Sequence, residues 1–176
     1  HPRIISRYGS EQYWKESGKM LAAMYMLQRG TPFIYQGQEI GMLNIALPRL
    51  DMYKDVMTFN AARIAGKLMP KGRVLKLIQA RSRENARTPM QWSGEANAGF
   101  STAAPWFYVN SNYHTINVRA EEDDPDSILN FYRRLIKFKK ENPVAIYGSY
   151  NELMHESRKL YVYEREYEGK RLLVVC

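Results

Sequence analysis

The order of apolar patterns in this 176-residue chain predicts the α/β class, and three stretches carry the prediction. A helical period runs from about Ser10 to Gln28. It gives way to a short apolar run, Thr31-Pro32-Phe33-Ile34-Tyr35-Gln36-Gly37, bounded by glycines, of the kind that suits a strand buried on both faces of a parallel sheet. Helix followed by buried strand is half of the repeating unit of α/β proteins. Beyond Pro143 the period changes: the alternating stretch 160–167 and Leu172-Leu173-Val174-Val175, separated by Glu168-Gly169, read as a β-hairpin.

Each element has its own justification. Ser10 is the expected N-cap of the first helix, with Glu11 in its positive first turn, Trp14, Leu21, Met24, Tyr25 and Gln28 on one stripe, and Arg29-Gly30 as the stop. Gln38 to Met42 leaves the C-terminal end of the expected strand, the side on which barrel enzymes place their sites. Asp51 to Ala80 reads as two helices broken at Pro70-Lys71-Gly72, with Met52, Val56, Phe59 and Ile64 apolar in the first and Val74, Leu75, Leu77 and Ile78 in the second. A loop rich in Gly, Ser, Asn and aromatics follows from Gly94 to Asn117. The clearest helix starts with Asp124 as cap and Pro125 in first position, buries Ile128, Phe131, Tyr132, Leu135 and Ile136, places Lys137, Lys139 and Lys140 at its negative end, and stops at Asn142-Pro143.

Composition narrows the function classes. Residues are 45% hydrophobic and 25% charged, as in a globular protein, and no apolar run approaches the ~20 residues of a membrane helix. One cysteine excludes an internal disulfide and suits a reducing, cytoplasmic setting. His1, His114 and His155 have no metal-ligand spacing, so neither metal nor cofactor is expected. The net charge of +8 raises the question of nucleic acid, but 26 basic residues are interleaved with 18 acidic ones and no nucleic-acid motif occurs. A solvated basic surface is the expectation. The chain opens on His1-Pro2-Arg3 without Met and closes on an apolar run ending at Cys176, so both ends read as cut.

The stretch with chemical content is Arg81 to Trp92. It sets Arg83 and Arg87 four positions apart beside Glu84 and Asn85, and Thr88-Pro89 forbids helix beyond them. Two guanidinium forks in such a place can each grip paired oxygens. Charge alone reads as a basic, solvated helix end. Together with Asn97-Ala98-Gly99-Phe100-Ser101 and Pro105-Trp106, however, Arg83-Glu84-Asn85-Ala86-Arg87-Thr88-Pro89-Met90-Gln91-Trp92 resembles the oligo-1,6-glucosidase branch of the α-amylase superfamily, glycoside hydrolase family 13. Gly30-Thr31-Pro32-Phe33-Ile34-Tyr35-Gln36-Gly37-Gln38-Glu39-Ile40-Gly41-Met42 is similar to the last barrel strand of the same family.

That resemblance implies the C-terminal part of a (β/α)8 TIM barrel, its last strand and helices, over residues 1–143. A helical insertion at 51–80 and the start of an antiparallel β domain at 144–176 complete the implied layout. It implies a retaining exo-acting α-glucosidase acting on small oligosaccharides, of isomaltose, maltose or trehalose-6-phosphate type. A pair of carboxyl groups ~5–5.5 Å apart does the chemistry in such enzymes. By the resemblance both lie upstream, and the third family carboxylate directly precedes His1-Pro2-Arg3-Ile4, so no catalytic residue is expected in this chain. Substrate-binding positions carried over are Arg83 and Arg87, with Glu39 a weaker third. Trp106 either stacks on a sugar ring or clamps the long loop. Where the family pattern has Asp-Val-Glu, this chain has Asp55-Val56-Met57, which removes a polar contact beside the leaving-group sugar. The expected partners are an oligosaccharide and the missing N-terminal barrel portion, or self-association through apolar faces. The alternative is a non-catalytic carbohydrate-binding or assembly module.

Overall fold

The computed structural model describes residues 1–176. The chain forms helices α1 (Ile4–Tyr8), α2 (Trp14–Met26), α3 (Val56–Ala65), α4 (Lys71–Arg81), α5 (Val118–Glu122), α6 (Ile128–Glu141) and α7 (Pro143–Tyr147). Strands β1 (Ser149–Leu153), β2 (Val162–Tyr167) and β3 (Lys170–Val175) follow as an antiparallel sheet in the order β1-β2-β3. No helix is long and apolar enough to cross a membrane.

The predicted stripe of α6 is the spine of the main core. Ile128, Tyr132 and Leu135 are buried there against Ile5, Leu21, Ala22, Met26 and Leu27 from one side and Ala145, Tyr163 and Val174 from the other. The sheet therefore shares its core with the helices. Two buried cations join the parts. Lys139, expected to serve the end of its own helix, instead donates to the carbonyls of Met26 (2.7 Å) and Gln28 (3.0 Å) at the end of α2. Arg165 donates to Leu27 O (2.6 Å), Gly148 O (2.8 Å) and Ser149 O (2.9 Å). Helix C-termini present unpaired carbonyls with partial negative charge, which is what these cations neutralise.

Several expected boundaries move. Ser127, not Asp124, caps α6, accepting from Asn130 N at 3.1 Å, because the Asp124 carboxylate is drawn to Lys15 Nζ at 2.7 Å. Pro125 accordingly lies outside the helix. Helix α2 starts at Trp14 without a side-chain cap, since Ser10 faces α2 differently: its N–H donates to Ser17 Oγ at 2.9 Å. In α3 the expected apolar stripe is turned outward, with Val56 69% and Ile64 61% exposed, while α4 buries Val74 and Ile78 against Ile45, Leu47, Tyr53 and Phe107.

The largest departure is at Thr31 to Gly37. No strand forms there, and Phe33 is 86% exposed rather than buried on both faces. A parallel strand needs neighbours for its N–H and C=O groups, and these residues offer none. The three strands present are all antiparallel and lie after Gly148, so the parallel sheet of the predicted fold is not formed within this chain.

Candidate functional site

Helix α4 ends at Arg81 because Ser82 turns to an extended conformation (ψ 141) and caps the next turn, accepting from Glu84 N at 3.2 Å. That turn is a 3-10 helix, Arg83–Ala86. The two polar residues between the arginines are its anchors. Glu84 is buried and accepts from the backbone N–H groups of Lys54 (2.6 Å) and Asp55 (3.2 Å). Asn85, fully buried, accepts from Ile45 N at 3.1 Å and donates to Gln79 O at 2.9 Å. With these side chains committed inward, Arg83 and Arg87 are left exposed. Arg87 Nη1 pairs with Asp55 Oδ2 at 2.9 Å, and the other oxygen of Asp55 caps α3 through Met57 N at 2.8 Å.

A third arginine, missed in the sequence, holds this turn in place. Arg3 is 4% exposed and donates to Asn85 O (2.9 Å), to Thr88 Oγ1 (3.1 Å) and to Gln36 O. Burial lowers its pKa to about 10, with Tyr35 and Glu39 opposing, so it stays cationic at neutral pH. No carboxylate pairs with it directly; carbonyls and a hydroxyl satisfy the buried charge. Tyr35 Oη and Gln36 Nε2 both donate to Ala86 O, at 3.0 and 3.3 Å, which seats the arginine turn on the rim formed by residues 35–38. Gly37 allows this closeness: at φ +82 it is left-handed, and a Cβ there would meet Met42 Sδ and Arg3 Nη1.

Arg83 opens the turn and Arg87 is its C-cap, and both are exposed; together they make the arginine mouth. Glu39 acts electrostatically on Arg3, which holds the arginine turn. It is half-buried, its Oε2 has no hydrogen-bond partner, and its charge acts on Tyr25, Tyr132 and Glu121 in the interior. Met57 is 61% exposed in the first turn of α3, immediately after the residues that fix Arg87. In the long loop Phe107 is buried in the second core cluster, while Trp106 is 58% exposed.

The family model described as "Alpha amylase, catalytic domain" matches residues 1–148. The chain belongs to the α-amylase family. The match ends where β1 begins, at Ser149. Among its curated α-amylase-family relatives, the oligo-1,6-glucosidase of Halalkalibacterium halodurans is 42% identical over 99% of this chain and 32% of its own length. The trehalose-6-phosphate hydrolase of Escherichia coli is 40% identical, with the same shares. The crystal structure of Bacillus licheniformis trehalose-6-phosphate hydrolase superposes with a TM-score of 0.96 at 41% identity, again over 99% of this chain and 32% of that one. The chain thus spans about a third of the length of the relatives it matches.

Proposed function

We propose that this chain is the substrate-positioning, C-terminal part of a retaining exo-acting α-glucosidase, in which Arg83 and Arg87 hold the terminal glucosyl unit of a short oligosaccharide. The carrying observation is the Arg83–Ala86 turn, whose buried Glu84 and Asn85 leave Arg83 exposed to solvent beside Arg87, which is exposed and oriented by its ion pair with Asp55. Forked donors fix neighbouring sugar hydroxyls, and fixing the sugar lowers the barrier, because a misplacement of ~1 Å can cost ~100-fold in rate. Relatives named oligo-1,6-glucosidase, glucan 1,6-alpha-glucosidase and trehalose-6-phosphate hydrolase support an α-glucosidic substrate. We place the enzyme in the cytoplasm, on the strength of the single cysteine.

The chain alone is inactive on this reading. Retention needs two carboxyl groups ~5–5.5 Å apart across the scissile bond, whereas the carboxylates beside the mouth are already engaged: Glu84 by backbone N–H groups and Asp55 by Arg87. The attacking and protonating groups belong to polypeptide that completes the barrel. Phe33 and its exposed neighbours Ile34 and Tyr35 are the surface that polypeptide covers, as the strand missing here pairs with its neighbours. The test is hydrolysis of isomaltose and of a nitrophenyl α-glucoside by this chain and by the full-length protein, each purified free of host glycosidases. Activity in the full-length protein only is expected. Glucose release by the chain alone contradicts the reading.

A further inference from the structure

Outside the arginine mouth, one concave surface combines exposed aromatic faces with polar edges. Its lining includes the aromatics Trp106, Tyr108 and Tyr113 and the polar residues Lys54 and Asn97. Trp106 and Tyr108 are 58% and 42% exposed, and Phe107 between them is buried, so the chain is pinned by the middle residue while its neighbours face outward. Trp106 and Phe107 ring centroids are 5.3 Å apart and those of Phe107 and Tyr108 5.5 Å, which makes the three rings one supported unit. Large aromatics left facing solvent on a fixed backbone offer an apolar face with little ordering cost. A pyranose ring presents a matching apolar face of C–H groups and a polar edge of hydroxyls.

The concavity is connected to the arginine mouth by a short covalent and hydrogen-bonded path. Lys54 Nζ donates to Trp106 O at 2.6 Å, the backbone N–H of Lys54 donates to Glu84, and the next residue, Asp55, holds Arg87. Adjacent Cα atoms are ~3.8 Å apart, so the aromatic surface lies within a few sugar lengths of Arg87. We propose that Trp106 and Tyr108 form an additional sugar-binding platform for the distal units of an oligosaccharide whose terminal glucosyl unit is held by Arg83 and Arg87. This rests on the proposed glucosidase reading and extends it by assigning the protein to chains of three or more units.

The experiment uses the full-length protein and compares kcat/KM for isomaltotriose and longer isomaltooligosaccharides with kcat/KM for isomaltose. Trp106→Ala is expected to lower the long-to-short ratio about tenfold, chiefly through KM, and Trp106→Phe, which keeps a ring face, to restore most of it. Tyr108→Ala, less disruptive to the loop, is expected to lower the ratio as well, and serves if Trp106→Ala does not fold. A ratio unchanged in both alanine variants overturns the platform. Arg83→Ala measured alongside separates the two claims: if it leaves hydrolysis of isomaltose intact, the arginine site fails, whereas an unchanged ratio with Arg83→Ala inactive removes only the platform.

Discussion

Arg87 Nη1 lies 2.9 Å from Asp55 Oδ2, across 32 residues of sequence, so the guanidinium that closes the arginine turn is oriented by the same carboxylate that caps α3. The Asp55 side chain is largely buried while that of Arg87 is 42% exposed, so the pair is screened and matters more for direction than for stability. Asp55→Asn retains a cap oxygen for Met57 N but removes the charge. The expected outcome is an α3 whose amide hydrogen exchange is unchanged at Met57, with KM for isomaltose raised in the full-length protein. Asp55→Ala, by contrast, removes the cap as well and speeds exchange in the first turn, since a lost N-cap costs about 1 kcal/mol.

Asn85 is the anchor on which the turn depends. Replacement by Ala leaves Ile45 N–H without its buried partner and Gln79 C=O with only the long bond from Asn44, and a buried orphan costs about 1–3 kcal/mol. Thermal unfolding of Asn85→Ala is expected to fall by roughly 5–10 °C. A melting temperature equal to that of the parent chain would show that the turn is held in some other way.

The arginine pair is singled out by its resemblance to a family motif; by charge alone, two arginines four apart and ended by Thr88-Pro89 read as a solvated helix end, and both are indeed exposed. Their supports were not readable. Arg3 and Asn85 are separated by 82 positions, and a lone arginine near the start of a chain gives no local sign that it will be buried against carbonyls. The cap of α6 shows the same limit at short range. The run Asp124-Pro125-Asp126-Ser127 offers several capping residues, and the choice falls to Lys15, 109 positions away. At Thr31 to Gly37 the apolar pattern was read as a strand, but pairing needs neighbours that no local pattern supplies. The β-hairpin of β2 and β3 was readable because both partners and their turn are contiguous.

Glu121 should make stability depend on pH near neutrality. Burial raises its pKa from 4.5 to about 7; Leu129 N–H, donating to Oε2 at 3.0 Å, and Lys15 oppose this, while Asp124 and Glu39 add to it. A carboxyl whose folded pKa is raised binds protons in the folded state that the unfolded state has released. Stability therefore falls as pH rises from about 4.5 to about 7, by up to roughly 3 kcal/mol for this group, and is flat beyond. Glu121→Gln is expected to flatten the denaturation midpoint across that window. A midpoint that rises over the same window in the parent chain, and is unaffected by the substitution, would contradict the assignment.

Arg165 is a buried cation whose removal should be costly. It is fully buried and has only backbone carbonyls as hydrogen-bond acceptors. Arg165→Met fills the space but strands those carbonyls, so a loss of about 3 kcal/mol or more is expected in urea denaturation. Arg165→Lys should recover part of it, because one ammonium cannot reproduce the fork. Equal stability of Arg165→Met and the parent would mean that water satisfies the carbonyls.

The central claim is that the exposed guanidinium of Arg83 holds the glucosyl unit undergoing transfer. It is tested most directly by kcat/KM for isomaltose in the full-length protein and its Arg83→Ala variant, with circular dichroism confirming an intact fold. The account predicts a fall of about 100-fold or more. A value within about twofold of the parent would contradict it.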